Sequence, residues 1–235
     1  FDPEITKKWL PVDLYFGGAE HAVLHLMYAR FVTMVLYDLG FVPFEEPFPK
    51  FFAHGLLIKD GAKMSKSKGN VINPDQYVQK FGADALRLYL MFIGPMDGSP
   101  DFRDEGIEGM RKFVNRVWRL SNSNGIINEE SKKEIAFKMH QTIKKVTENI
   151  KEFKYNSAIA VIMEYVNVLE KYSDKDSQKK EEESSAWTSA LQNLTLLIAP
   201  FAPHIAEEIW VEVLRQPFSV HTQSWPKYNP KTFAP

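Results

Sequence analysis

The sequence contains no cysteine. Disulfides and thiolate metal sites are thereby excluded, and the composition fits a reducing compartment. It also lacks an excess of either charge. The 29 Lys and Arg stand against 30 Asp and Glu, for a formal net charge of -1, so bulk electrostatics does not point to nucleic acid and any RNA contact must rest on local patches. No apolar run reaches the roughly 18 residues that a membrane helix needs, and Phe1-Asp2-Pro3-Glu4 has neither an initiator Met nor a signal-peptide pattern. These absences read as a soluble fragment with no membrane partner; a monomer in the cytoplasm is expected separately, an organellar home being left open. What is present is a 44% hydrophobic content over 235 residues, enough for a real core in one large or two modest domains. We expect two.

Periodicity divides the chain into an α/β part, a partial Rossmann-type parallel sheet, followed by an all-α helical bundle. Phe1 to Pro11 reads as irregular because of Pro3 and Pro11, and Val12 to Phe16 as a strand. Gly17-Gly18 reads as a turn into a helix that opens at Ala19 or Glu20 and carries Val23, Leu26, Met27, Phe31, Met34, Val35 and Leu36 at helical spacing. Phe51 to Ile58 reads as a buried parallel strand, with Gly55 marking close backbone approach. Asn73-Pro74 opens a helix as N-cap and first helical residue, and Ala83 to Ile93 forms another. Residues 1–103 are expected to form the catalytic part, 104–216 a five-helix bundle with Asn156 capping its third helix, and 217–235 an irregular tail. Ser173 to Ser185 has three Lys, two Asp, three Glu and no apolar side chain, so it is expected to be a solvated or disordered connection.

Lys63-Met64-Ser65-Lys66-Ser67 concentrates two ammonium groups and two hydroxyls between Gly61 and Gly69. Such a loop suits a polyphosphate whose charge grows as pyrophosphate departs, and its flanking glycines let it close on a transition state. A solvated basic turn is the plain alternative. Glu20 and His21 fall at the carboxyl end of a strand, where open α/β sheets bind ligands. His21 and His25 are four apart and would share a helix face. No third ligand follows at metal spacing, so no metal site is expected. Lys112, Arg116 and Arg119 form a basic ridge able to follow RNA phosphates, or simply a solvated helix face.

The run Lys63 to Asn70, K-M-S-K-S-K-G-N, followed by Val71-Ile72-Asn73-Pro74, resembles the signature loop of class I aminoacyl-tRNA synthetases. Gly17-Gly18-Ala19-Glu20-His21-Ala22, continuing through His25-Leu26 and Tyr28 to Phe31, is similar to the leucine-specific members, and Ala199 to Trp210 looks like their tRNA-binding helical domain. The resemblance implies ligation of leucine to tRNA(Leu) through leucyl-adenylate, with Mg2+ accompanying ATP. It implies that Lys63 and Lys66 stabilise the departing phosphates with Ser65 and Ser67, Met64 lying beside the nucleotide. Gly17 and Gly18 would let the backbone approach the nucleotide, Glu20 would hold the ribose hydroxyls, and His54, Gly55, Leu56 and Leu57 would read adenine. His21 and His25 would line the leucine pocket. The family's H-x-G-H phosphate motif is absent, and neither an editing module nor a C-terminal tRNA-binding domain can be placed. The rival readings are a class I synthetase for isoleucine, valine or methionine, and a noncatalytic RNA-binding protein derived from a synthetase.

Overall fold

The computed structural model describes residues 2–174 and 185–233. Most of the expected charged connection, 175–184, lies outside the described residues. The chain forms two compact units, Phe1–Ile58 with Met96–Pro100, and Lys59–Pro95 with Asp101–Pro235.

The first unit begins with helix α1 (Pro3–Trp9), where the sequence led us to expect irregular chain. Proline is compatible with the first helical position, and the Asp2 carboxylate accepts the amides of Glu4 at 2.8 Å and Ile5 at 3.2 Å. Strand β1 is Tyr15–Gly18 rather than Val12 to Phe16, so Gly17 and Gly18 belong to the strand and not to a turn. It pairs in parallel with β2 (Phe51–His54), Tyr15 opposite Phe51 and Gly18 opposite His54. A 3-10 turn, Ala19–Ala22, follows β1, and helix α2 (His25–Asp38) starts later than its apolar spacing implied because Leu24 leaves helical geometry at φ -89, ψ -90. Leu26 is the buried residue of α2; Val23, Met27, Phe31, Met34 and Val35 stay exposed.

The expected strand from Phe51 to Ile58 is interrupted after His54. There the backbone bonds instead to a neighbouring segment, Gly55 N–H donating to Met96 O at 2.8 Å and Ile58 N–H to Pro100 O at 3.0 Å. A Cβ on Gly55 would lie 1.5 Å from Gly98 O, so only glycine allows this approach.

The second unit opens with a hairpin of β3 (Ile58–Lys59) and β4 (Ala62–Lys63). Asp60 and Gly61 both take positive φ, 55° and 70°, the pattern of a two-residue primed hairpin turn. Helix α3 (Pro74–Phe81) is capped as expected, Asn73 Oδ1 accepting Asp75 N–H at 3.0 Å. Helix α4 is Ala83–Phe92. The bundle helices are α5 (Asp104–Ser121), α6 (Glu129–Lys151), α7 (Tyr155–Lys171), α8 (Ser185–Ile198) and α9 (Pro203–Glu208), the last running into a π-turn over Ile209–Val213. Short strands β5 (Asn124–Gly125) and β6 (Ser173–Asp174) pair antiparallel. Asn156 is not the cap of α7; Lys154 holds that position without a capping side chain.

Apolar side chains of α4 to α7 supply much of the core of the helical unit. Leu88, Ile107, Val146, Ile159, Val166 and Leu169 are fully buried, each contributing about 1.5–3 kcal/mol of transfer free energy. Tyr165 is buried among them with its hydroxyl donating to Ala190 O at 3.2 Å, and burial raises its pKa. Helix α4 is fastened to the bundle by polar bonds that the sequence did not reveal. The buried Asp84 carboxylate accepts His204 N–H at 3.3 Å and Ile205 N–H at 2.7 Å, while Arg87 donates to Pro200 O at 3.0 Å and Phe201 O at 3.3 Å. Residues 59–95 therefore pack with the helices rather than with the strands, a division different from a boundary near 103. The tail lies on α6, with Trp225 Nε1 donating to Thr147 Oγ1 at 2.8 Å and Asn229 N–H to His140 Nδ1 at 3.3 Å.

Candidate functional site

On the strand unit, the parallel ladder brings Gly18 opposite His54. Glu20 folds back so closely that a Cβ on Gly18 would meet its Oε2 at 2.3 Å, which places the carboxylate at the end of β1. His21 sits in the same 3-10 turn, whereas His25 is the first residue of α2. Because no continuous α-helix joins them, four-residue spacing does not put the two imidazoles on one helix face. His25 belongs to an aromatic cluster instead: its Nδ1 and the Tyr15 hydroxyl are hydrogen-bonded at 2.9 Å, its ring stacks on Tyr15 at 5.4 Å, and Phe48 lies 5.8 Å away. His54 donates Nδ1–H to Gly55 O at 2.7 Å and tilts against Phe16 at 5.6 Å. Leu56 is exposed and Leu57 half-buried beyond the end of β2. An apolar groove of about 650 Å3 runs along α2, with Leu26, Met27, Phe31, Met34, Phe48 and Phe51 in its wall. Neither His21 nor His25 lines it.

The helical unit carries the basic loop. Its hairpin is tied down at the base, where Lys59 Nζ donates to Phe102 O at 3.4 Å and Gly61 N–H to Asp101 Oδ2 at 3.3 Å. Beyond β4, Ser65 leads into a 3-10 turn over Lys66–Lys68 that ends on left-handed Gly69 at φ 68°. The Ser65 and Ser67 hydroxyls bond each other at 2.8 Å. Lys63 and Lys66 are exposed and Met64 is half-buried. Two mobile cations beside paired hydroxyls can neutralise a polyphosphate without a protein nucleophile. Among the described residues no group of three or more His, Asp and Glu is placed to hold a metal ion.

Sequence reasoning missed three contributors. Asn70, at the end of the loop motif, bonds back to the loop backbone, accepting from Ser65 N–H at 2.8 Å. Asp60-Gly61 shapes the hairpin, and the Asp-Gly pair was a readable signal for it. Tyr15 and Phe48 surround His25, and no local pattern connects Phe48 to that ring.

On α5, the basic ridge is not uniform. Arg116 forms a bidentate pair with Glu170, 2.6 Å from its Oε2 and 3.1 Å from its Oε1, and reaches Asn167 Oδ1 at 2.6 Å. Hydrogen bonding to Glu170 raises its pKa further. Lys112 and Arg119 remain exposed and line a shallow depression with Trp118.

Comparison with known proteins places both regions. Residues 2–100 match the family described as tRNA synthetases class I (I, L, M and V), and residues 132–234 match the anticodon-binding domain of tRNA ligase. The chain is 45% identical to a leucine–tRNA ligase of Thermotoga maritima over 98% of its own length and 29% of the relative's. It is also 45% identical to the leucine–tRNA ligase of Dehalococcoides mccartyi strain 195, covering 97% of the chain and 28% of the relative. The chain therefore spans less than a third of these relatives. Among solved structures, a LeuRS of Agrobacterium radiobacter K84, in a ternary complex with tRNA and LeuAMS, superposes with a TM-score of 0.84 at 38% identity, covering all of this chain and 31% of that one. A methionyl-tRNA synthetase of Mycobacterium tuberculosis shares the fold, with a TM-score of 0.68 at 19% identity over 88% of this chain and 45% of its own.

Proposed function

We propose, from a chain that belongs to the class I tRNA synthetases through residues 2–100 and carries their anticodon-binding domain over 132–234, that the protein is part of an enzyme that ligates leucine to tRNA(Leu) through leucyl-adenylate. The observation that carries this reading is the Lys63 to Asn70 loop, folded as a compact turn with Lys63 and Lys66 exposed, in a chain 45% identical to leucine–tRNA ligases over nearly its whole length. Leucine attacks the α-phosphorus of ATP, the bond to pyrophosphate breaks, and leucyl-adenylate forms. The acyl group then passes to the terminal ribose of the tRNA. Lys63 and Lys66 stabilise the charge that gathers on the departing pyrophosphate, with Ser65 and Ser67 donating hydrogen bonds and Met64 lying beside the nucleotide, and Mg2+ enters with ATP as part of the substrate. On the strand unit, Glu20 accepts the ribose hydroxyls, Gly17 and Gly18 leave room for the nucleotide, and the backbone from His54 to Leu57 reads adenine. His21 and His25 act on the leucine side chain, His25 through the position Tyr15 gives it. Lys112 and Arg119 contact RNA phosphates while Arg116 braces α5 against α7. The same reading makes the protein a monomeric enzyme of the cytoplasm.

The test is amino-acid-dependent ATP–pyrophosphate exchange by the full-length protein. Leucine supports exchange on this reading, and Lys66→Ala slows adenylation chiefly through kcat, by about 2–4 kcal/mol of transition-state stabilisation. Exchange with isoleucine, valine or methionine in place of leucine assigns another specificity. An absence of exchange with any amino acid leaves an RNA-binding protein.

A further inference from the structure

The Asn70 carboxamide spends three of its four hydrogen-bonding positions on one short stretch of backbone. Its Oδ1 accepts Ser65 N–H at 2.8 Å, and its Nδ2 donates to Lys63 O at 3.3 Å and to Lys59 O at 3.4 Å. An amide turned by half a rotation would set its oxygen against two carbonyls and its NH2 against an N–H, so the network itself fixes the orientation. The other bonds of this turn are local to it: Lys68 N–H to Ser65 O at 3.1 Å, Gly69 N–H to Lys66 O at 3.2 Å and the paired hydroxyls of Ser65 and Ser67. Asn70 instead joins the turn to the hairpin. That hairpin is anchored through Lys59 to the carbonyl of Phe102, a residue 1% exposed, and through Gly61 to Asp101.

We propose that Asn70 is a positioning residue for the basic loop: by holding Ser65 to Lys59 and Lys63, it keeps the loop in the arrangement from which Lys63 and Lys66 meet the departing pyrophosphate. This rests on the loop function proposed above. Asn70 touches backbone rather than nucleotide, so its loss acts on the geometry of the two ammonium groups and not on ATP binding. A loop that must be in place at the transition state is where small misplacement is expensive in rate.

The experiment uses Asn70→Ala, Lys66→Ala and the double variant in the full-length protein. Asn70→Ala is expected to lower kcat for leucine-dependent exchange by about 10- to 100-fold with KM for ATP and leucine within about threefold of wild type. In the Lys66→Ala background the same substitution should cost at least about threefold less, because one of the groups it positions is gone. Trypsin cleavage after Lys63, Lys66 or Lys68 of the native protein should quicken by at least about threefold, since loosened loops are the sites of nicking. An Asn70→Ala rate within threefold of wild type, a loss confined to KM for ATP, full additivity with Lys66→Ala, or unchanged cleavage overturns the inference. If Lys66→Ala itself exchanges at the wild-type rate, the phosphate role of the loop fails and this inference fails with it. Loss with Lys66→Ala but not with Asn70→Ala refutes the positioning role alone.

Discussion

Asp84→Ala isolates a helix cap supplied from 120 residues away in the sequence. Pro203 occupies the first position of α9 and has no N–H, so the donors that need partners at this end are those of His204 and Ile205, and both go to Asp84. The residue is 6% exposed and Ala202, the N-cap, has no capping side chain. Truncation leaves two donors in a site that water reaches poorly, and it removes a carboxylate from the positive end of a helix. Each unpaired donor costs about 1–3 kcal/mol and a lost N-cap typically about 1 kcal/mol. The terms overlap, so we expect a loss of about 3 kcal/mol. For a unit of about 170 residues that lowers the unfolding midpoint by about 6–12 °C. Asp84→Asn keeps an acceptor for only one of the two amides, because Oδ1 serves His204 and Oδ2 serves Ile205, and it loses the charge, so it should recover part of that stability and cost about 2 kcal/mol. Urea unfolding followed by circular dichroism gives both numbers, with an unchanged m-value showing that the same surface is exposed. An Ala variant within 0.5 kcal/mol of wild type would refute the capping argument. So would an Asn variant as unstable as Ala.

Gly55→Ala should destabilise the strand unit by about 3 kcal/mol or more, because the new Cβ would lie 1.5 Å from the carbonyl oxygen of Gly98, a backbone atom that cannot swing aside. Limited proteolysis and urea unfolding check this, and an unchanged midpoint would contradict it. Burial lowers the pKa of His140, whose Nδ1 accepts Asn229 N–H. The unfolded chain therefore binds the proton more readily, so this contribution is full above the ordinary histidine value near 6.5 and is lost as the pH falls from there toward the depressed value. His140→Gln should flatten that acid limb of the stability profile, and an identical slope in both proteins would show that the ring is not its source.

What the sequence determined by itself lay in patterns that act within a few residues or repeat along one element. Asn73-Pro74 starts a helix because the Asn side chain reaches an amide two residues away. Of the apolar set Ile107, Met110, Phe113, Val114, Val117, Trp118 and Leu120 that helical spacing puts together, five are buried, while Val114 is half-buried and Trp118 exposed. The Lys63 to Asn70 run was legible because its chemistry is concentrated in consecutive residues. Tertiary structure decided the rest, since those interactions join segments whose proximity no local pattern encodes. Four-residue spacing could not show that Leu24 breaks the helical path between His21 and His25, nor that Tyr15 holds the latter. The ridge on α5 looked equally cationic at Lys112, Arg116 and Arg119 until Glu170, 54 residues beyond Arg116, neutralised the middle charge. Asp84 and Arg87 looked like ordinary helix residues, yet the carbonyls and amides they bind lie 113 to 121 residues on. A buried carboxylate or an unpaired helix end must find a partner, and only the packed chain determines which one is within reach.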